Sequence, residues 1–147
     1  MAIPGIRRHK TRMIIPFSDV DMAGIVYTTC LTDYALKGWE DFFRNIGIPW
    51  ESFVGGPAIR GLPVASLNIL FHSPAYCGNE IEIETRISKI TLRRIYFKSS
   101  IVNLTTGRTL TTTKMTVACF DMDYKSCPIP GFILEAINLR GLNKNGK

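Results

Sequence analysis

The chain has 147 residues, of which 46% are hydrophobic and 20% are charged, and its net charge is +6 at pH 7. This length predicts one domain with a sizeable core, and the composition is that of an ordinary soluble globular protein. No stretch reaches the roughly 18 apolar residues of a membrane span, and residues 1–10 lack the apolar core of a signal peptide. We therefore expect a single domain over residues 1–147, with a flexible basic arm over residues 1–10 and no membrane partner.

The cysteines and histidines exclude several kinds of site. The four cysteines have neither C-x-x-C spacing nor neighbouring histidines, which indicates reduced thiols in a cytoplasmic protein. They are Cys30, Cys77, Cys119 and Cys127. Because His9 and His72 are the only histidines in the sequence, a three-histidine zinc site is excluded. A Ser-His-Asp arrangement has little support for the same reason. We expect no metal site.

One strand and one long buried helix are predicted in the first third of the chain. Residues 10–17 form the strand, and Pro16 indicates either a sheet edge or the strand's end. Apolar or small residues then recur at the spacing of one helix face, and a second apolar stripe lies beside it. The first stripe is Leu31, Tyr34, Ala35, Gly38, Phe42 and Ile46, and the second is Leu36, Trp39 and Phe43. An apolar sector this wide predicts a mostly buried helix.

The ends of this helix carry recognisable signals. Thr28 or Thr29 is expected as the N-cap, Gly47 at the C′ position and Pro49 as the stop. Since the preceding turn carries carboxylates, the sequence predicts an anion close to unpaired N–H donors of a helix N-terminus.

The second half of the chain is predicted to be strand after strand. A glycine- and proline-rich loop over residues 48–63 leads into it. Strands are predicted over residues 64–71, 80–87, 95–104 and 109–120, with a hairpin turn at 105–108 and a short terminal helix at 132–139. One strand, one buried helix and four more strands imply an α+β fold, with an antiparallel sheet of about five strands wrapped around one long helix.

The turn before the helix has the residues for two different roles. Asp19 and Asp21 lie two positions apart, so an extended backbone directs them to opposite faces, and Gly24 allows a tight turn. A carbonyl oxygen directed at free N–H groups near Thr28 has its developing negative charge stabilised. A neighbouring carboxylate can then attack the carbonyl carbon or activate water. The alternative is that both aspartates only cap a turn, and spacing alone favours that explanation.

The motif gives the turn a more specific interpretation. The run from Asp19 to Tyr27 resembles the signature of hotdog-fold acyl-CoA thioesterases of the 4-hydroxybenzoyl-CoA thioesterase type, and the likeness covers most of residues 11–121. The resemblance implies the hotdog arrangement of sheet around helix. It also implies that Asp21 is the catalytic carboxylate and that the Thr28 N–H polarises the thioester carbonyl, with Gly24 shaping the turn. The implied partner is an acyl-CoA substrate, and no cofactor is implied because CoA belongs to that substrate.

The resemblance also implies substrate contacts and an assembly. Sites of this family lie at a dimer interface, so a homodimer at minimum is expected, often within a homotetramer. Basic residues of one hairpin meet the phosphates of CoA in the family. The expected substrate contacts in this chain are Tyr27, Leu36, Trp50, Leu62, Arg93 and Arg94.

Some positions depart from the family pattern. Relatives often have an acidic residue where Leu36 stands, and the aromatic-acyl branch has a threonine where Leu62 stands. Relatives commonly have Asn-Tyr at the positions where this chain has Cys30 and Leu31. Leucines at positions 36 and 62 predict a more apolar acyl pocket, which gains nothing from a substrate hydroxyl. We therefore expect thioester hydrolysis with an acyl group other than 4-hydroxybenzoyl.

Two other functions compete with thioester hydrolysis. The first is a non-catalytic hotdog module that binds acyl-CoA or another anionic ligand. The second is a nucleic-acid binder, which only the net charge of +6 and the basic arm support. No aromatic and basic motif of the RRM kind is present, so we expect no nucleic-acid partner.

Overall fold

The computed structural model describes residues 8–143, with side chains up to residue 138. It contains five strands and two α-helices. The elements are β1 (Arg8–Ile14), α1 (Thr28–Asn45), β2 (Val64–Phe71), β3 (Glu80–Ile90), β4 (Arg94–Asn103), β5 (Arg108–Ala118) and α2 (Gly131–Asn143), with short 3₁₀ turns at Phe17–Asp19 and Trp50–Ser52.

The five strands form one antiparallel sheet in the order β1-β3-β4-β5-β2. β3 shows the period of two that its sequence predicted, since alternate residues from Ile81 to Ile87 are buried under α1 while Glu82, Glu84 and Arg86 lie on the other face. The expected α+β fold, a five-stranded antiparallel sheet wrapped around one long helix, is confirmed.

The first strand begins and ends earlier than predicted. It starts at Arg8, inside the segment predicted as a flexible arm, and residues 8–10 pair with β3. Cross-strand ion pairs explain this extension, because Arg8 lies 3.4 Å from Glu84, and Lys10 and Arg12 lie 3.3 and 3.0 Å from Glu82. The strand ends at Ile14, shortly before Pro16, and β1 is an edge strand. Residues 1–7 of the predicted arm lie outside the described residues.

The sequence predicted the C-terminus of α1 better than its N-terminus. The prediction of a threonine N-cap is wrong, because Tyr27 is the N-cap and no side chain caps the helix there. The C-terminus follows the prediction closely. Gly47 has a φ of +88°, its N–H donates to the Arg44 carbonyl, and the Ile48 N–H donates to the Phe43 carbonyl. These two bonds form a Schellman motif, which satisfies carbonyls that the helix end leaves open.

Helix α1 lies very close to the sheet at Gly38. A Cβ atom at this position would lie 2.5 Å from Ile83 Cγ2 and 2.8 Å from Thr85 Oγ1. The core divides into two clusters along the helix. Leu31 and Tyr34 belong to the cluster at the N-terminal end, and Phe42 and Phe43 belong to the one at the C-terminal end.

Helix α1 lies off-centre on the sheet. It packs mainly on β1, β3 and β4, so the concave face over the opposite edge is less covered. Leu67 and Phe71 of β2 are 39% and 48% exposed, and both belong to the set of β2 residues that points toward the helix side. This off-centre position leaves room for a groove between α1 and the chain around β2.

Helix α2 extends beyond the predicted segment 132–139 and covers the C-terminal end of the core. Ile133 and Ile137 are fully buried in the same cluster as Phe42 and Phe43. Neither α1 nor α2, over the residues described, has the length and apolar character needed to cross a membrane.

Candidate active site

The turn that begins at Asp21 is held by its own carboxylate. Asp21 Oδ1 accepts the N–H groups of Ala23 and Ile25 at 2.8 and 3.1 Å, and the Asp21 N–H donates to the Ile25 carbonyl at 2.9 Å. Gly24 has a φ of +77°, the left-handed conformation that glycine adopts without strain. The Asp21 side chain is exposed, and no group within residues 8–143 donates to Oδ2. One carboxylate oxygen therefore fixes the turn while the other stays available.

Asp19 has a different environment. Its Oδ2 accepts the hydroxyl of Tyr34 at 2.5 Å, and its Oδ1 accepts the hydroxyl of Ser18 at 3.3 Å. Burial raises the pKa of Tyr34 above its usual value, and the hydrogen bond to Asp19 raises it further. Tyr34 therefore remains a donor at neutral pH. Because Asp19 is committed to this contact with α1, Asp21 has the freer carboxylate of the two.

The N-terminus of α1 lies directly after this turn and presents free donors. The Tyr27 carbonyl accepts the N–H groups of Cys30 and Leu31, and the Tyr27 N–H donates to the Asp19 carbonyl at 3.0 Å. The N–H groups of Thr28 and Thr29 have no acceptor in the described part of the chain. The contact between Tyr27 and Asp19 thus joins the aspartate turn to a pair of unpaired N–H groups, where a helix favours negative charge.

Cys30 is the one thiol in the first turn of α1. Burial, followed by the charges of Asp19 and Asp33, raises the pKa of this thiol. A raised pKa lowers the fraction of thiolate, which is the reactive form. Cys30 is therefore poorly suited to act as a nucleophile, and Asp21 is the better candidate at this end of the helix.

An apolar groove of about 960 Å³ runs beside α1. The helix contributes Asp33, Leu36, Lys37, Trp39 and Glu40, and the loops and the start of β2 contribute Trp50, Val54, Arg60, Gly61, Leu62, Pro63, Val64, Phe120 and Tyr124. Three of the predicted substrate contacts, Leu36, Trp50 and Leu62, therefore line one groove. Trp50 also packs against Trp39, with ring centroids 4.6 Å apart.

The groove lies close along α1 to the free N–H groups, since its first lining residue in the helix is Asp33. Asp33, Leu36 and Glu40 are spaced as neighbours on one helix face, and Thr29 precedes Asp33 by one further turn. Four residues of an α-helix advance about 6 Å. The groove therefore begins within about one helical turn of the donors at the N-terminus.

Other predicted contacts lie apart from this groove. Tyr27 is 50% exposed at the helix start. Arg93 and Arg94 lie at the hairpin between β3 and β4, where Arg93 Nη1 donates to the Ser126 carbonyl at 2.5 Å. The turn of Asp21 joins the opposite end of β3, through the bridge between Ile25 and Tyr76. The 11 residues of β3 span roughly 35 Å, so the arginines and Asp21 of one chain are far apart.

Most of the groove lining was not predicted from the sequence, and Arg60 and Tyr124 are two such residues that contact each other. Tyr124 has a φ of 61°, and it is the one residue other than glycine with a positive φ among those described. Its ring lies 4.6 Å from the guanidinium carbon of Arg60. The sequence gives little warning of this conformation, because left-handed positions are normally occupied by Gly, Asn or Asp. The contact also joins residues that are distant in the sequence.

The described part of the chain offers no group of side chains suited to hold a metal ion. No three His, Cys, Asp or Glu side chains there lie close enough together to hold an ion. All four cysteines are free, and Cys119 Sγ lies 3.2 Å from Cys127 Sγ. Burial, with the neighbouring Cys127, raises the pKa of Cys119 to about 12.

The fold and the turn of Asp21 define a hotdog-type protein, and solved structures share this architecture. A 1,4-dihydroxy-2-naphthoyl-CoA thioesterase from Synechocystis matches with a TM-score of 0.81 at 19% identity, over 88% of this chain and 95% of that chain. A 4-hydroxybenzoyl-CoA thioesterase variant in complex with 4-hydroxybenzoyl-CoA matches with a TM-score of 0.80 at 22% identity, over 89% and 99% of the two chains.

The chain belongs to the Thioesterase-like superfamily, whose profile matches residues 15–137. The family resemblance found in the sequence is thereby confirmed. A chloroplastic acyl-acyl carrier protein thioesterase of Arabidopsis thaliana is 28% identical over 127 residues, which is 85% of this chain and 65% of the relative. A 1,4-dihydroxy-2-naphthoyl-CoA hydrolase of Synechococcus elongatus is 29% identical over 82 residues, or 56% and 60% of the two chains. The match thus spans less than two thirds of the length of these relatives.

Proposed function

We propose that the protein is a thioesterase that hydrolyses an acyl-CoA to the free acid and CoA. One observation carries this proposal, namely the turn from Asp19 to Tyr27, which joins a free carboxylate oxygen of Asp21 to the unpaired N–H groups of Thr28 and Thr29. A thioester needs both a group that attacks or activates water and a donor for the carbonyl oxygen. The apolar groove beside the same helix provides a place for the acyl group.

The mechanism begins with the carbonyl oxygen of the thioester at the helix N-terminus. The Thr28 N–H donates to this oxygen and stabilises the negative charge that develops there, a contribution often worth about 3–4 kcal/mol. Because the N–H belongs to a helix, it is already oriented before the reaction begins. Asp21 then acts in one of two ways.

In the first route, Asp21 Oδ2 accepts a proton from a water molecule whose oxygen bonds to the carbonyl carbon. The carbon–sulfur bond then breaks, and CoA leaves as the thiol after it receives that proton. In the second route, Oδ2 itself bonds to the carbonyl carbon, CoA leaves, and water hydrolyses the resulting anhydride. The two routes require the same oxygen of Asp21, and both leave Oδ1 in place to hold the turn.

The relatives support the reaction and leave the acyl group open. The Arabidopsis relative is named for acyl-acyl carrier protein and the Synechococcus relative for 1,4-dihydroxy-2-naphthoyl-CoA. The similar structure with bound 4-hydroxybenzoyl-CoA is an aspartate-to-asparagine variant. In this chain Leu36 and Leu62 line the groove, and neither side chain hydrogen-bonds a substrate hydroxyl. We therefore propose an acyl group other than 4-hydroxybenzoyl.

The proposed assembly is a homodimer at minimum, and a homotetramer as the family resemblance implies. β2 is an edge strand that exposes apolar residues, including Leu67, Leu70 and Phe71. Proteins usually cover such an edge, whereas the other edge strand, β1, carries charged side chains. We propose that β2 pairs with β2 of a second copy. In this assembly the phosphates of CoA at one Asp21 contact Arg93 and Arg94 of the other copy, since those of the same chain are too far away.

Release of CoA from purified protein tests the proposed activity. A panel of aryl, short and long acyl-CoA thioesters is incubated with the wild-type protein and with Asp21→Asn, and the free thiol is measured. We expect turnover of at least one thioester class by the wild-type protein alone. Tight binding of acyl-CoA without any release of thiol would instead identify a non-catalytic module, which is the second candidate function.

A further inference from the structure

Residues 19–27 form a short hairpin, with the turn of Asp21 at its tip and the start of α1 at its base. At the base, the Asp19 carbonyl accepts the Tyr27 N–H at 3.0 Å. Val20 and Val26 form an antiparallel bridge one step nearer the tip. Because Tyr27 is also the N-cap of α1, the direction in which this hairpin leaves the helix decides where the Asp21 carboxylate lies relative to the free N–H groups.

Two parts of the chain hold the hairpin in different ways. On one side the contact is made by backbone, since the Val26 N–H donates to the Ala75 carbonyl at 2.9 Å. On the other side the contact comes from α1, where the Tyr34 hydroxyl donates to Asp19 Oδ2 at 2.5 Å. Among the residues described, this is the one hydrogen bond from a side chain of α1 to the hairpin.

The Tyr34 ring has a fixed position because it lies in the core. It is 5% exposed and belongs to the same buried cluster as Leu31 and Ile83, and side chains in such an interior occupy low-energy rotamers with little free space. Burial and the hydrogen bond to Asp19 raise the pKa of the hydroxyl, so it keeps its proton at neutral pH. The core therefore presents a fixed donor to Asp19.

Asp19 contacts one side of α1 at two points. Its carbonyl accepts from Tyr27 and its carboxylate accepts from Tyr34, and seven residues along a helix are close to two full turns. Two points of contact fix the direction of the hairpin, whereas the Tyr27 contact alone would leave it free to rotate. Such a rotation would move Asp21, and a misplacement of about 1 Å between reacting groups can cost on the order of 100-fold in rate.

We propose that Tyr34 is a positioning residue for thioester hydrolysis, which acts through Asp19 to set the place of Asp21 Oδ2 relative to the Thr28 N–H. This inference rests on the proposed function, because it takes those two groups as the pair that acts on the thioester. Since Tyr34 is buried in the core, we assign it no contact with the substrate. Its removal should therefore affect kcat and not KM.

Tyr34→Phe is the first test, because it removes the hydroxyl and keeps the buried ring. On the acyl-CoA that the wild-type protein hydrolyses fastest, we expect kcat to fall at least roughly tenfold, with KM near the wild-type value. Tyr76→Phe is the matched control. The Tyr76 backbone bridges Ile25 of the same hairpin, and its hydroxyl bonds to nothing within residues 8–143. This control should keep the wild-type kcat, and an unchanged kcat in Tyr34→Phe would overturn the proposal.

Asp19→Ala tests the same connection without a change in the core, since Asp19 is only half-buried. It should lower kcat about as much as Tyr34→Phe, and the double variant should lose no more than either single variant. Asp19→Asn keeps an oxygen that accepts the hydroxyl and should retain most of the turnover. Losses that multiply in the double variant would overturn the proposal, because the two residues would then act independently.

Hydrogen exchange of the Tyr27 amide, followed by NMR, gives a readout that needs no turnover. In Tyr34→Phe this exchange should become roughly fivefold faster or more, as the loss of one hydrogen bond predicts, while the amide of buried Ile101 exchanges as in the wild-type protein. Equal acceleration at both amides, or none at Tyr27, would overturn the proposal. If the wild-type protein hydrolyses no thioester but Tyr27 alone exchanges faster, the proposed hydrolysis fails and the positioning of the hairpin by Tyr34 stands.

Discussion

Asp21 and Asp121 head two turns that share one hydrogen-bond pattern. The Oδ1 atom of each accepts backbone N–H groups from the residues two and four positions further along the chain. In both turns the N–H of the aspartate donates at 2.9 Å to the carbonyl four residues on. The turn geometry alone therefore does not single out Asp21. What distinguishes Asp21 is the helix N-terminus that follows its turn, with the free N–H of Thr28.

This pair provides a matched test of the role proposed for Asp21. Asp21→Asn should keep its turn, because the amide oxygen still accepts both N–H groups, yet an amide neither attacks nor takes up a proton at neutral pH. We expect kcat to fall at least roughly 100-fold, while thermal unfolding and binding of acyl-CoA stay near wild type. Asp121→Asn makes the same chemical change in the same kind of turn and should retain most of the turnover.

Asp19→Asn should cost less than Asp21→Asn, since its amide oxygen still accepts the hydroxyl of Tyr34. An essential Asp19 together with a dispensable Asp21 would show that the motif is misassigned. Equal losses for Asp21→Asn and Asp121→Asn would indicate that only the turns matter.

The pair of Tyr34 and Asp19 predicts a pH dependence of stability. The pKa of Tyr34 is raised in the folded protein, whereas in the unfolded chain a tyrosine ionises near pH 10. The contribution to stability is therefore complete below about pH 10 and decreases as pH rises above it, because the unfolded state loses its proton first. Urea unfolding between pH 8 and 11 should show a steeper decline for the wild-type protein than for Tyr34→Phe. Identical slopes would contradict the raised pKa.

Removal of the hairpin arginines should affect binding more than chemistry. In the proposed assembly Arg93 and Arg94 contact the phosphates of CoA equally in the ground state and the transition state. Replacing both by alanine should therefore raise KM for acyl-CoA and leave kcat nearly unchanged. Short thioesters that lack the nucleotide provide the control and should show no change. Because Arg93 also donates to the Ser126 carbonyl, an equal loss on the short thioesters would point to a structural role.

Subunit exchange tests whether one site draws on two chains. Asp21→Asn protein is mixed with the Arg93→Ala, Arg94→Ala protein, and each is nearly inactive alone at low substrate concentration. In a mixed dimer one site combines Asp21 from one copy with both arginines from the other. Random exchange at equal amounts should recover about a quarter of the wild-type sites, measured as turnover with the wild-type KM. A fully active monomer in sedimentation experiments would refute this arrangement.

The close approach at Gly38 predicts a large effect from one methyl group. Gly38→Ala would put a Cβ atom 2.5 Å from Ile83 Cγ2, and overpacking of this kind typically costs about 1–3 kcal/mol. Alanine gains up to about 1 kcal/mol of helix propensity in return. We expect net destabilisation, seen as a lower Tm, whereas Lys37→Ala on the exposed face should change Tm little. A more stable Gly38→Ala protein would show that the helix and sheet separate easily.

Periodicity predicted the fold because burial repeats along the chain in a regular way. The alternation from Glu80 to Ile87 predicted β3, and the wide apolar stripe predicted α1 as the buried helix. The predicted threonine N-cap was wrong because a backbone contact fixes where α1 begins. The Tyr27 N–H donates to the Asp19 carbonyl, which makes Tyr27 the N-cap and leaves both threonines inside the helix. Local sequence rules favour a hydroxyl cap and do not include that long-range bond.

Only part of the candidate site was predicted, because contacts between distant segments leave no local pattern in the sequence. The motif located Asp21 and the helix N-terminus, which are close together in the sequence. Leu36, Trp50 and Leu62 were predicted to contact the acyl group, and the fold brings them into one groove. Tyr124 and Arg60 were missed, because a left-handed tyrosine and a contact between distant segments leave no periodic signal.

Because α1 lies off-centre, the groups proposed for bond cleavage and the far wall of the groove come from different parts of the chain. Evolution can therefore alter one without the other. The groups proposed for bond cleavage come from the turn at the start of the helix, whereas the far wall of the groove comes from the loops around residues 48–63 and 119–127. Insertions and exchanges are tolerated best in such loops. Related chains can therefore change the acyl group that they accept through substitutions in those two loops. Each chain would still keep the groups proposed for bond cleavage, because these come from the turn and the start of α1.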